Sequence, residues 1–173
     1  MTDPTPPGVA SAASRGDSSD DLPAAMRREI AAHHELYLRD PEQAQLWDPI
    51  VIGVPGGPVP CLLLHHLGRK SGRQLNSILQ YYRHQDEIVI VASKGGMPNH
   101  PAWYLNLVAH PACEVQIGNF RTQAIARTIT GEARRQWWQR ITQEQPMQLE
   151  YVKRTRREIP VVVLEMATTP QST

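Results

Sequence analysis

Residues 61–92, CLLLHHLGRKSGRQLNSILQYYRHQDEIVIVA, carry the pattern that decides the fold. Residues 61–66 form a short apolar run of strand length, residues 75–82 resume extended character, and residues 87–92 are rich in β-branched side chains. Between them stand Gly68-Arg69-Lys70-Ser71-Gly72-Arg73 and His84-Gln85-Asp86, both turn-like in composition. Connections this short join antiparallel neighbours, because a parallel crossover needs a dozen or more residues. Three consecutive antiparallel strands are expected.

On the N-terminal side, GVPGGPVP at 53–60 is turn chemistry. Before it, a helix beginning near Pro23 carries Met26, Ile30, His33 or His34, and Tyr37 on one face and ends before Asp40-Pro41. Residues 1–20 hold no large apolar side chain other than Val9 after Met1, so burial cannot offset the entropy of ordering and a disordered tail is expected. On the C-terminal side, Pro101 opens a short helix with Trp103, Leu105, Leu107 and Val108, stopped by His110-Pro111. Strands follow at 113–117 and 120–128, joined by a tight turn at Gly118-Asn119. Thr130 is placed to cap a helix through Trp137, Trp138 and Ile141; a further helical piece carries Leu149, Tyr151 and Val152, and 159–164 is the last strand. About six strands with inserted helices give a mainly antiparallel β fold, a barrel in preference to a doubly wound sheet. The expected domain runs over 21–167, with a short tail at 168–173.

The totals exclude several functions. A net charge of +1, from 18 basic and 17 acidic residues, supplies no global field for nucleic acid, so any anion site is local. The two cysteines, Cys61 and Cys113, make neither a disulfide framework nor a metal-ligand cluster, which suits a reducing cytoplasm. No segment approaches the ~20 apolar residues of a membrane span. No GxGxxG follows a strand, and GxxxxGK(S/T), GxSxG and paired-carboxylate patterns are missing, so a Rossmann unit, a P-loop and the common hydrolase sites lack support. His65 and His66 are adjacent on a strand and point to opposite faces, so a metal site is not expected.

Three segments have the chemistry of a binding site. In 68–73, three cations and a hydroxyl share one glycine-bounded turn, the outline of a phosphate cradle, although a solvated hairpin has the same composition. In Ala92-Ser93-Lys94-Gly95-Gly96, two glycines allow close backbone approach to a flat ligand while Ser93 and Lys94 offer donors; an ordinary strand exit also fits. In HPAWYLNL at 100–107, aromatic residues and an amide occupy the first helical turns, where Trp103 is equally suited to the core.

In order and separation, LLLHHLGRKSGR, VIVASKGG, NHPAWYLNLVAHP and EVQIG resemble the deazaflavin-dependent nitroreductases, also described as the coenzyme F-420 dependent quinone reductase family, from about Trp47 to Glu165. The resemblance implies a split β-barrel of the flavin-reductase type and coenzyme F-420, an 8-hydroxy-5-deazaflavin, as cofactor. It implies cofactor phosphate and tail contacts at Arg69, Lys70, Ser71 and Gly72, with Arg73, Gln74 and Ile78 alongside. It places Val91, Ala92, Ser93 and Lys94 against the ring, helix contacts at Ala102, Trp103, Tyr104 and Asn106, and strand contacts at Leu63, Leu64 and His65. Where many relatives have a Pro-Arg pair and a later Pro, this chain has Gln74, Leu75 and Ile78, leaving Arg73 as the replacement cation. Of two substrate-side tyrosines in the nitroreductase, Tyr151 is retained and Gln148 stands at the other position.

The implied activity is hydride transfer from reduced F-420 to a small-molecule acceptor: a quinone, an activated alkene or a nitro compound. Ser93 and Tyr151 are the candidate catalytic donors, and Gln148 and Tyr151 face the substrate. Two other readings share the barrel: an oxidoreductase that binds flavin mononucleotide, and a non-catalytic carrier of deazaflavin, lipid or haem-derived pigment. A homodimer and peripheral membrane contact are both open on sequence grounds.

Overall fold

The computed structural model describes residues 22–167. The expected tails at 1–20 and 168–173 lie outside them. In chain order the elements are α1 (Ala24–Arg39), α2 (Pro41–Ala44), β1 (Leu46–Trp47), β2 (Val59–Leu67), β3 (Gln74–His84), β4 (Glu87–Val91), α3 (Ala102–Ala109), β5 (Ala112–Ile117), β6 (Phe120–Ile129), α4 (Gly131–Glu144), α5 (Met147–Lys153) and β7 (Val161–Met166). The three-strand core of the fold is where the sequence placed it. The two-residue β1 and single-turn α2 are additions, too short to leave a periodicity.

Every strand pairing is antiparallel. The order is β1-β2-β3-β4-β7-β6-β5, and β5 also pairs with β2, so β2 to β7 close into a barrel. Closure removes the open sheet edges that would otherwise present unpaired amides and carbonyls. In register, Leu63 faces Ile78 on β3 and Gln116 on β5, so one strand links both arms of the sheet.

The alternation of each strand sorts its side chains between two environments. Leu62 and Leu64 of β2, Ile88 and Ile90 of β4, Val115 of β5 and Leu164 of β7 fill the interior with Trp103 and Leu107 of α3. Cys61 and Leu63 point outward beneath Tyr37 of α1, while Val89, Val161 and Val163 point outward beneath Trp137 and Ile141 of α4. Strands covered on both faces read as unbroken apolar runs, and this accounts for the continuous Leu62-Leu63-Leu64. Burial also pushes both cysteine thiols up, Cys61 to about 12 and Cys113 to about 11, leaving them unreactive packing residues.

Thr130 precedes α4 as expected, but its hydroxyl makes no capping bond. Tyr37 anchors α1 at the end of the barrel where β2 begins: its hydroxyl lies 3.1 Å from the carbonyls of Cys61 and Gln116 and accepts from the Gly118 amide at 3.0 Å.

Candidate functional site

The antiparallel order brings the candidate loops to one mouth of the barrel. β2 rises to this mouth and turns through 68–73 into β3; β4 returns to it and opens into 92–101; β7 starts there, with Val161 paired to Ile129 at the end of β6. The hairpin turns at 85–86 and 118–119 are at the opposite end. Residues as far apart in sequence as Val91 and Val161 are therefore neighbours.

Loop 68–73 is a tight reversal. The Gly72 amide donates to the Gly68 carbonyl at 2.8 Å and the Gly68 amide to the Arg73 carbonyl at 2.9 Å. Ser71 Oγ accepts from the Arg73 amide at 3.2 Å, which braces the turn from within. Arg69, Lys70, Arg73 and Gln74 are exposed. Arg69 is held to α3: its amide and its Nη1 both donate to Oδ1 of Asn106, at 3.1 and 3.0 Å. Asn106 is buried, and its Nδ2 reaches Nδ1 of His66 at 3.2 Å, whose Nε2 lies 3.1 Å from Ser77 Oγ. This satisfied polar chain fixes the cationic turn against the helix, so its charge sits on a rigid support.

Loop 92–97 is shaped by backbone. Ser93 is right-handed helical, and Lys94, Gly95 and Gly96 follow with φ of +46°, +61° and +80°. A right-handed residue followed by left-handed ones makes successive amides converge into an anion-binding nest. The left-handed conformation at Lys94 costs an L-residue about 1–2 kcal/mol and persists where surrounding contacts over-determine it. Those contacts are clear. A Cβ on Gly96 would stand 2.5 Å from the Tyr151 carbonyl oxygen, so α5 presses directly on the loop. Arg157 donates to the carbonyls of Ala92, Ser93 and Met97. Arg154 reaches the Gly95 carbonyl at 3.4 Å and lies over the Tyr151 ring.

On α5, Gln148 and Tyr151 are one turn apart. Gln148 is buried, its Nε2 donating to the Tyr82 hydroxyl at 3.3 Å while its Oε1 has no hydrogen-bond partner. Tyr151 is partly buried, and desolvation raises its phenol above the usual value against the opposing pull of Arg154, so the hydroxyl keeps its proton at neutral pH.

The remaining sequence candidates divide by face. Leu63 packs its side chain under α1 and Leu64 into the interior, each almost fully buried. Ile78 joins the α1 cluster and Val91 the α4 cluster. His65 points outward to Gln116 at 3.3 Å, away from buried His66. Trp103, at 5% exposure, packs its ring into the interior of the barrel beside Leu107. Ala92 is likewise sealed at 0%, leaving its backbone as the part that meets the loop, whereas Ala102 is half-buried at the start of α3. Tyr104 is half-buried with its hydroxyl 3.1 Å from Thr128 Oγ1. Ser77, Arg154 and Arg157 are isolated residues outside any motif and leave no local signal in the sequence, which also gives no sign that His66 links Asn106 to Ser77.

Fold and site together define a split-barrel protein with a cationic turn and a glycine nest at one mouth, suited to a flat cofactor with an acidic tail. Residues 49–166 match the model of the F420H(2)-dependent quinone reductases, and the chain belongs to that family. It is 40% identical over 116 residues to an F420H(2)-dependent quinone reductase of Mycobacterium tuberculosis (strain ATCC 25618 / H37Rv), covering 64% of this chain and 76% of that protein. Among solved structures it is similar to an F420-H2 dependent reductase, FDR-A, at 37% identity and a TM-score of 0.57, covering 61% of this chain and 94% of the other. It is also similar to a structure described as a domain-swapped dimer, at 32% identity and a TM-score of 0.58, covering 80% and 98%. The chain is thus an oxidoreductase that uses coenzyme F420. The exposed cations of 68–73 and the open space around Gly72 fit such a group. Among the described residues, no helix is long and apolar enough to cross a membrane.

Proposed function

We propose that reduction of a quinone takes place at the mouth formed by loops 68–73 and 92–97, with activated alkenes and nitro compounds as acceptors of the same two-electron chemistry. The observation that carries this reading is the presence at one mouth of a braced cationic turn held by Asn106 and a strained glycine loop held by Arg157. When bound, the reduced deazaflavin supplies the hydride. Arg69, Lys70 and Arg73 hold its anionic end, and Ser71 and Gly72 shape the turn that presents them. Ser93 and the amides of 94 and 95 orient the ring edge. Tyr151, with its proton retained, donates to the oxygen on which charge develops in the acceptor, and Gln148 beside it sets the acceptor's fit.

Mixing the protein with reduced F420 and menadione and following reoxidation optically tests the reading. Catalysed reoxidation supports it, and a rate equal to the protein-free control sinks it. Lys70→Ala is expected to weaken F420 binding roughly three- to tenfold at low salt, a charge-assisted contact discounted for exposure. The difference shrinks as salt rises, because the Debye length falls from about 10 Å at 0.1 M to about 3 Å at 1 M. Unaltered affinity by fluorescence titration would leave the turn without its role. Tyr151→Phe is expected to lower turnover roughly tenfold to a hundredfold with little change in F420 affinity; unchanged turnover removes Tyr151 from the mechanism.

A homodimer is also proposed, supported by the relative described as a domain-swapped dimer; monomeric mass by light scattering would refute it. Cytoplasmic residence completes the reading, and a peripheral membrane contact within it is supported by the exposed apolar side chains Leu46, Ile50 and Val51. Vesicle sedimentation tests the contact, and protein left in the supernatant removes it.

A further inference from the structure

The turn between α5 and β7 belongs to none of the motifs that pointed to the mouth, yet Arg157 reaches from it into the centre of loop 92–97. Its guanidinium donates through Nε to the Met97 carbonyl at 2.9 Å, through Nη1 to the Ala92 carbonyl at 3.1 Å, and through Nη2 to the Ser93 carbonyl at 2.8 Å. Nη1 also lies 3.1 Å from Nδ1 of His100, just before α3. A planar fork with fixed donor directions is matched by three carbonyls of one loop, a fit that a lysine's single ammonium cannot reproduce.

Two consequences follow from this geometry. Each carbonyl of a trans peptide is anti to the next residue's amide, so the Ala92 and Ser93 carbonyls held by Arg157 direct the amides of 93 and 94 toward the opposite side. An arginine always donates, so Nδ1 of His100 must accept, and the proton of the neutral ring sits on Nε2. Burial first and the Arg157 charge second lower the His100 pKa, in keeping with that neutral tautomer.

We propose that Arg157 is a positioning residue of the hydride-transfer site: its guanidinium holds loop 92–97 in its left-handed form, so that the loop's amides meet the bound ring, and locks His100 in one tautomer. The proposal rests on the reading that this loop receives the deazaflavin ring. Arg157→Gln and Arg157→Lys are compared with the unaltered chain by F420 fluorescence titration, by steady-state menadione reduction, and by hydrogen exchange without cofactor. In Arg157→Gln, exchange is expected to rise in 92–97 while the barrel strands stay protected, F420 affinity to fall about tenfold or more, and kcat to fall further, as misplacement of the reacting groups requires. Millimolar guanidinium chloride is expected to restore part of both losses, and Arg157→Lys to fall in between.

Affinity and turnover equal to the unaltered chain in Arg157→Gln would overturn the proposal. So would losses accompanied by exchange throughout the barrel and indifferent to guanidinium, since Arg157 would then serve global stability alone. If Arg157→Gln does not fold, Arg157→Lys decides, and an unchanged kcat/KM in that variant is overturning. Failure of the underlying reading is separately visible: the unaltered chain would itself bind no F420, and the proposal would fall with it.

Discussion

Gly96→Ala is expected to lower kcat/KM for quinone reduction about a hundredfold while leaving the barrel folded. The new Cβ meets the Tyr151 carbonyl oxygen at 2.5 Å, the Arg154 Cβ at 2.9 Å and the Tyr151 Cα at 3.1 Å. Two of these three are backbone atoms, so no flexible side chain can swing aside; either the loop or α5 has to move. A displacement of about 1 Å in groups that orient reactants costs on the order of a hundredfold in rate. The φ of +80° adds about 1–2 kcal/mol of conformational cost for an alanine. Gly95→Ala separates the two effects, because Gly95 shares the positive φ but has open space where its Cβ would lie. It is expected to show the conformational cost with a much smaller loss of rate. Equal activity losses in the two variants would show that contact with α5 is irrelevant to the site.

The second large effect lies at the other end of the barrel. Tyr37 is fully buried, and its single hydroxyl serves two strand carbonyls and the Gly118 amide. Burial pushes its pKa up to about 12, so the phenol stays neutral and remains a donor. Tyr37→Phe keeps the ring and strands those backbone groups, at a cost of about 1–3 kcal/mol. Tyr37→Ala adds a cavity among Ala44, Cys61 and Leu63 and is expected to cost about 3–5 kcal/mol. Against a total stability of about 5–15 kcal/mol, the alanine variant is near the limit of folding. For the phenylalanine variant this corresponds to a fall in Tm of roughly 2–12 °C by calorimetry. F420 affinity below the transition should be unchanged, because the hydroxyl is remote from loops 68–73 and 92–97. A Tm within a degree of the unaltered chain would mean that the hydroxyl contributes nothing to docking α1.

The two variants illustrate how differently the two ends could be read. The position of α1 follows from the spacing of His33 and Tyr37, and the glycine runs announce turns wherever they occur. The partner of Gly96 could not be read, because Tyr151 lies on a helix that packs on α4, far from Gly96 in sequence. The same is true of Arg157, 60 residues from Met97 in the chain. Trp103 shows the converse: its place in PAWYLNL is obvious, but whether its ring faces a ligand or the core depends on what closes the barrel above it.

Sequence alone determined the strands, their hairpin turns, the cationic loop at 68–73 and the family they resemble, since each rests on preferences acting over a few neighbouring residues. Tertiary structure decided the closure of β2 on β5, the face that each strand residue presents, and the arginine clamp on loop 92–97. Those depend on register between distant segments, and a single-residue shift in register would send every side chain of a strand to its other face.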